Sequence, residues 1–171
     1  MRTLIIPVGC PGMGKSYFAD QILCEYGIKN VSSDQVREDL YGDAAIQGDY
    51  HEVFGTVYDT INALFDSGED MVILDATNVT RRVRWKAICD INPDEIIYVI
   101  MPDDLDRALN YNEKRSRKVP ERIVRRMYES YKRDMPCLEY DSLGIDCSIY
   151  HLDNAKEKDD FYVRLEHYRY G

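Results

Sequence analysis

The stretch Gly9-Cys10-Pro11-Gly12-Met13-Gly14-Lys15-Ser16 constrains this chain more than any other. It satisfies G-x-x-x-x-G-K-[ST] at all four fixed positions. Leu4 to Val8 before it is a short apolar run that reads as a buried strand, and Ser16 to Tyr26 after it carries apolar residues at helical spacing. Glycines at such a junction let the backbone turn sharply and aim consecutive N–H groups at phosphate oxygens. The helix that follows adds the positive end of its dipole. Lys15 is expected to reach the β- and γ-phosphates, and the Ser16 hydroxyl to ligate Mg²⁺. The expected ligand is ATP with Mg²⁺.

Apolar patterning then alternates between strands and helices. A helix closes near Gly27, an extended segment spans Ile28 to Ser32, and Ser33 or Asp34 can cap a short helix to Leu40. Tyr50, Val53, Phe54, Val57, Ile61, Leu64 and Phe65 mark the clearest amphipathic helix. Met71 to Leu74, apolar on both faces and ending in Asp75, suits a central parallel strand. A helix over Thr80 to Ile91 follows, with Trp85, Ile88 and Ile91 able to face the core. Ile96 to Met101 is the next strand, Leu105 to Tyr111 the next helix, and Pro120 opens another that reaches Asp134. A strand near Cys147 to Leu152 and a charged C-terminal helix end the chain. This order predicts an α/β fold of the P-loop NTPase type: a doubly wound, mostly parallel sheet of about five strands with a helical lid at about 112–134, all in one domain over residues 1–171. Ligands of such sheets lie outside the carboxyl ends of the strands, which is where Gly9, Asp34 and Asp75 fall.

Charge is distributed unevenly. The net charge is −9, yet Arg107 to Arg133 holds ten Lys/Arg against three Glu, leaving −16 on the remainder. An acidic body with one basic face can take a polyanion that its net charge alone would repel. The basic run Lys114 to Lys118 has no apolar anchors and reads as a mobile lid. Arg81, Arg82 and Arg84 open a helix where positive charge opposes the dipole, so a use other than helix stability is expected of them. The five cysteines show no metal-ligand spacing and read as reduced thiols, and no apolar run is long enough to span a membrane. With an N-terminal apolar run too short for a secretory leader, the expected location is cytoplasmic.

Phosphoryl transfer to an alcohol needs an anchored γ-phosphate, neutralised charge and a group to deprotonate the hydroxyl. Asp34, at a strand end and not on the metal, is the expected base. Arg37, three residues on, can hold an acceptor phosphate or the Asp34 carboxylate. Asp75 fits a Walker-B carboxylate, holding a metal-bound water or Ser16. Arg115 is the leading candidate to cover the transferring phosphoryl group, with Arg117 and Arg122 behind it.

These residues resemble the phage-type polynucleotide 5′-kinases. Gly9-Cys10-Pro11-Gly12-x-Gly14-Lys15-Ser16 is similar to that family's phosphate loop, Asp34-Gln35-Val36-Arg37 to its D-x-x-R motif, and Asp75-Ala76-Thr77-Asn78 to its D-x-T-N strand end. Lys114-Arg115, Val119-Pro120 and Arg126-Met127-Tyr128 resemble its lid. The resemblance covers roughly Met1 to Tyr140. It implies Asp34 as general base, Arg37 on the acceptor-side phosphate and Arg115 on the transferred phosphate. Thr77, Asn78, Arg81, Val119 and Pro120 join the expected acceptor-binding set. Ser33 replaces an arginine of the phage enzyme, the Arg115–Val119 segment is a residue short, no D-x-D-G-T phosphatase motif occurs, and the last thirty residues match nothing. The resemblance implies an ATP-dependent kinase of 5′-hydroxyl nucleic acid ends. A kinase of a small alcohol, nucleoside or sugar nucleotide, and a nucleotide-dependent binding module, are the alternatives.

Overall fold

The computed structural model describes residues 1–171. Its centre is a five-stranded, wholly parallel sheet: β1 (Thr3–Val8), β2 (Lys29–Ser32), β3 (Met71–Asp75), β4 (Glu95–Ile100) and β5 (Asp146–His151). The order across the sheet is β2-β3-β1-β4-β5. β1, β3 and β4 are buried along their whole lengths, which is why they read as unbroken apolar runs instead of alternating ones. Pairing is in register from Thr3 opposite Met71 on one side and Glu95 on the other.

Eight helices surround the sheet: α1 (Lys15–Tyr26), α2 (Ser33–Tyr41), α3 (Tyr50–Asp66), α4 (Arg81–Ile91), α5 (Leu105–Lys114), α6 (Glu121–Arg133), α7 (Leu138–Asp141) and α8 (Ala155–Tyr170). β2 and β3 lie on one side of β1 and β4 and β5 on the other, so the crossover from β3 to β4 passes β1 and the winding of the sheet reverses there. The crevice outside that switch point is the natural ligand site of such a sheet. β2, β3 and β1 are neighbours, so the residues after them (Ser33-Asp34, Asp75-Ala76 and Gly9-Cys10) share one edge.

Three local expectations need correction. Ser32, not Ser33 or Asp34, caps α2, its Oγ accepting from Gln35 N–H at 3.4 Å. That leaves the Asp34 carboxylate for other partners. On α4 the inward face is Arg84, Ala87, Ile88 and Ile91, while Trp85 is 38% exposed and donates its indole N–H to the Tyr140 carbonyl. The third correction concerns Arg84, expected at a functional surface and found fully buried instead.

Arg84 and Asp141 are both inaccessible to solvent, and they pair at 2.8 Å. Arg84 Nη1 donates to the Asn78 carbonyl at 3.0 Å, and Nη2 to the Asp134 carbonyl at 2.5 Å. Asp141 Oδ2 accepts from Cys137 N–H, and the Tyr98 hydroxyl donates to the Asp141 carbonyl. Burying two charges is costly unless each hydrogen-bonding site is met, and here most are. The pair fastens the β3–α4 junction to the end of α6 and to α7.

Asp141→Ala leaves a buried guanidinium without its counter-charge and is expected to destabilise the fold by about 3–5 kcal/mol. Urea unfolding checks this. The double substitution Arg84→Met with Asp141→Leu should recover a large part of the loss, since it removes both charges.

Candidate active site

The loop between β1 and α1 is held from below. Gly9 N–H donates to the Thr77 carbonyl at 3.1 Å, which ties the phosphate loop to the end of β3. Asn78, buried and in the left-handed region at φ 53°, donates from Nδ2 to the carbonyls of Pro7, Leu74 and Ala76. Asn78 is therefore a brace under the loop, and its expected contact with an acceptor is corrected. Gly12 and Gly14 have φ of 88° and 91°, values that disfavour residues with a Cβ. A Cβ on Gly12 would lie 2.1 Å from the Ala108 carbonyl oxygen, so glycine also permits α5 to approach the loop.

Cys10 lies wholly inside, and burial pushes its thiol up to about 11, so it is a neutral packing residue at ordinary pH. Its carbonyl accepts a hydrogen bond from Lys15 Nζ at 3.0 Å. Lys15 is itself buried. Desolvation lowers its pKa, with Asp75 opposing that shift and Arg115 adding to it. A phosphate anion in the loop would supply the counter-charge this ammonium lacks. Ser16 Oγ donates to Asp75 Oδ2 at 3.0 Å. Burial raises the Asp75 pKa against the opposing effects of Lys15 and the Ser16 hydroxyl. One hydroxyl and one carboxylate beside a phosphate loop fit Mg²⁺, which uses few protein oxygens and fills its octahedron with phosphate oxygens and water.

A cleft of about 1180 Å³ opens over the loop. Lys15, Arg37, Arg107, Arg115, Arg117, Lys118, Arg126 and Lys158 line it against Asp34, Asp75 and Asp104, eight positive groups to three negative. In a chain of net charge −9 this is a concentrated anion trap. On its β2 side Asp34 Oδ1 receives Arg37 Nη1 at 3.1 Å and Arg117 Nη1 at 2.5 Å. Arg37 is further held by Ser33 Oγ and the Gln47 carbonyl and lies over the Phe54 ring at 5.9 Å.

Most expected site residues meet here: Pro11 to Ser16, Asp34, Arg37, Asp75, Thr77, Arg115, Arg117, Val119 and Pro120 all line the cleft. Gly9 and Cys10 lie beneath it. Two do not join. Arg122 is outside, and Arg126, one helical turn further along α6, takes the cleft-facing place. Arg81 faces a separate shallow groove with Trp85, 3.6 Å from Asp141 and stacked over the Trp85 and Tyr140 rings. The basic run expected to lack anchors has polar ones. Asn112 clips both backbone groups of Val119, at 2.7 and 3.1 Å, and closes the segment between α5 and α6.

The sequence reading missed the opposite wall. Arg107 and Tyr111 on α5, with Leu152, Lys158 and Tyr162 from the β5–α8 region, form an aromatic and aliphatic surface beside Tyr17 and Gln21. Such a surface can stack a nucleobase. The i, i+4 pair Arg107 and Tyr111, with 5.3 Å between guanidinium and ring, was the available signal.

Residues 4–134 match the model of the family described as AAA domain. The chain belongs to this family. Among solved structures, the AAA-domain chain resembles Chaetomium thermophilum Kti12 in complex with ADP-AlF3, at 16% identity over 98% of this chain and 100% of that one, with TM-score 0.63. It also resembles a chain of the Pnkp1/Rnl/Hen1 RNA repair complex, at 23% identity over 77% of this chain and 44% of that one, TM-score 0.67. A gluconokinase from Sinorhizobium meliloti 1021 matches at 13% identity over 99% and 95%, TM-score 0.59. At these identities the likeness is one of fold: a P-loop, kinase-like domain. The phage-type resemblance thus stands at that coarser level, with a chain of an RNA repair complex and a gluconokinase both among the structural neighbours. No helix is long and apolar enough to cross a membrane.

Because Asp75 must be ionised to serve a cation, and burial raises its pKa, Mg²⁺-dependent nucleotide binding is expected to weaken on acidification from a higher pH than an ordinary carboxylate near 4 would give. Titration calorimetry of ATP with Mg²⁺ across pH checks this. Asp75→Asn should bind more weakly throughout and lose that acid limb.

Proposed function

We propose that this protein is an ATP-dependent kinase that transfers the γ-phosphate to the 5′-hydroxyl of a nucleic acid end. One observation carries the reading: a carboxylate, Asp34, opens into the cleft across from the phosphate loop, flanked by Arg37 and Arg117 at 3.1 and 2.5 Å. A general base needs that placement, within reach of a hydroxyl that faces the γ-phosphate but off the metal. A phosphorylated acceptor needs arginines beside it. The eight-to-three excess of positive groups supports a polyanionic acceptor over a neutral one.

In this reading Lys15 and the loop amides hold the β- and γ-phosphate oxygens. Mg²⁺, held by Ser16 with Asp75 behind it, supplies charge neutralisation on those phosphates when bound. Arg115 covers the transferring group. It ends α5, lines the cleft and engages no carboxylate of its own. Asp34 takes the proton of the attacking hydroxyl, and Arg37 orients the acceptor through its phosphate. The surface of Arg107, Tyr111 and Tyr162 receives the base of the donor nucleotide.

The test is label transfer from γ-labelled ATP to a 5′-OH oligodeoxynucleotide, a 5′-OH oligoribonucleotide and a neutral sugar alcohol. Asp34→Asn should lose about 10²–10⁴-fold in transfer, the usual worth of a general base, with ATP affinity unchanged. The acceptor KM for oligonucleotides should rise steeply with salt. Labelling of the sugar alone would replace the nucleic-acid reading with a small-molecule kinase.

A further inference from the structure

Three arginines open α4, at the helix end where the dipole disfavours positive charge. Arg84 is consumed inside the fold by Asp141. Arg81 and Arg82 are not, and they line a groove outside the cleft with Trp85, Lys86, Cys89 and Asp134. Trp85 stays 38% exposed and Tyr140 beside it 54%, so two flat rings face solvent among three cations. The Arg81 guanidinium lies over both rings, 6.0 Å from the Trp85 centroid and 5.5 Å from that of Tyr140. Most charges here already have partners. Asp134 is held by Arg133 at 3.0 Å, Lys86 by Asp90 at 2.7 Å, and Arg81 faces the buried Asp141 at 3.6 Å. Arg82, exposed on the rim, is left as the uncommitted cation.

Two stretches of chain lead from the cleft to this groove. Thr77 lines the cleft, and Arg81, four residues later, lines the groove. On α6, Arg126 lines the cleft, Ser130 and Arg133 follow it on the same stripe, and Asp134 lines the groove. Arg133 is 67% exposed, and its Nη2 donates to Ser130 Oγ. From Arg126 to Arg133 the helix rises about 10 Å, close to three phosphate steps of a stacked strand. We infer that the groove is a second contact for a single-stranded nucleic acid whose 5′ end lies in the cleft. This deepens the proposed function and rests on it for the placement of that end. Backbone phosphates meet Arg133 and Arg82, and a base stacks on Trp85. A single strand suits the rings because its unstacked bases can be splayed onto them, which paired bases cannot. An acidic peptide would match the charge but bring no flat faces. Because every base has such a face, the groove rewards acceptor length and not sequence.

Trp85 is the only tryptophan of the chain, so its fluorescence reports on this groove directly. The experiment has two readouts. The first is emission on titration with a 5′-OH oligonucleotide of about eight nucleotides, without ATP, against poly-glutamate as a control of equal charge; eight exceeds the three steps to the groove. The second is the ratio of kcat/KM for that oligonucleotide to that for a 5′-OH dinucleotide, which is too short to leave the cleft. The oligonucleotide should quench the emission and poly-glutamate should not. Arg82→Glu should weaken the oligonucleotide and flatten its salt dependence. Trp85→Ala should lower the length ratio roughly 5- to 100-fold, the worth of one base stacked on a ring, with the dinucleotide unchanged. Trp85→Phe, which keeps a flat face, should retain most of the ratio. A merely structural role for Trp85 would slow both acceptors together and lower the thermal midpoint, and that result overturns the inference. Equal quenching by poly-glutamate overturns it as well, in favour of an acidic polypeptide. If wild type labels both acceptors equally well and its emission stays unquenched, the groove is not a strand contact and the kinase reading stands. If it labels neither, yet the oligonucleotide quenches Trp85 and Arg82→Glu weakens that binding, the kinase reading falls and the groove stands.

Discussion

The hydrogen bond from Gly9 N–H to the Thr77 carbonyl is the constraint on which the site depends. A phosphate loop is useful only if its amides and its lysine face a carboxylate that can assist a cation, and those parts come from β1 and β3, some sixty residues apart in sequence. The bond closes that gap at the strand ends, and Asn78 locks it with three carbonyls drawn from both strands. Arg84 then takes the Asn78 carbonyl and joins the brace to α6 and α7 through Asp134 and Asp141. The lid helix is thereby mounted on the same post as the phosphate loop.

Electrostatics organises the cleft around buried charged groups whose nearest partners are neutral. Lys15 is buried with a backbone carbonyl as its closest partner, and Asp75 is buried with a hydroxyl as its own. Each has its pKa moved toward neutrality by desolvation, and each moves back once an oppositely charged ligand arrives. Burial here destabilises the empty site and so favours its occupation. The half-buried lid arginines Arg115 and Arg117 differ: they stand at the edge of solvent, where Arg117 pairs with Asp34.

Much of this was legible in the sequence, for definite reasons. The loop, its flanking strand and helix, and the carboxylates at positions 34 and 75 are local signals, because strand ends and turn chemistry are read within a few residues. The three central strands β1, β3 and β4 were legible because burial on both faces gives continuous apolar runs. What failed was orientation within elements and polar anchoring between them. On α4 the inward set of residues 84, 87, 88 and 91 is as regular as the set expected, but a guanidinium belongs to it and an indole does not. A hydrophobicity rule cannot choose a buried arginine, since Arg84 is tolerable only because Asp141 lies 57 residues away to meet it. The lid failed in the same way. With no apolar anchor it read as mobile, whereas Asn112 and Asp34 anchor it through hydrogen bonds and charge.

The family match ends at residue 134, but the cleft does not. Leu152, Lys158 and Tyr162 form part of its wall, and they belong to the last thirty residues, where no motif was visible. Their placement follows from packing. β5 extends the sheet in register with β4 from Asp146 opposite Glu95, and α8 returns across α1, burying Phe161 against Phe18 at 5.8 Å between ring centroids. Arg164 reaches back to Glu95 at the start of β4. A wall made of apolar area and flat rings can be supplied by many residue combinations. Fixed motifs are expected where backbone and charge must meet phosphate oxygens, and plain packing where apolar surface suffices. That division explains why the phosphate-loop half of this cleft reads as a family and the other half as ordinary core.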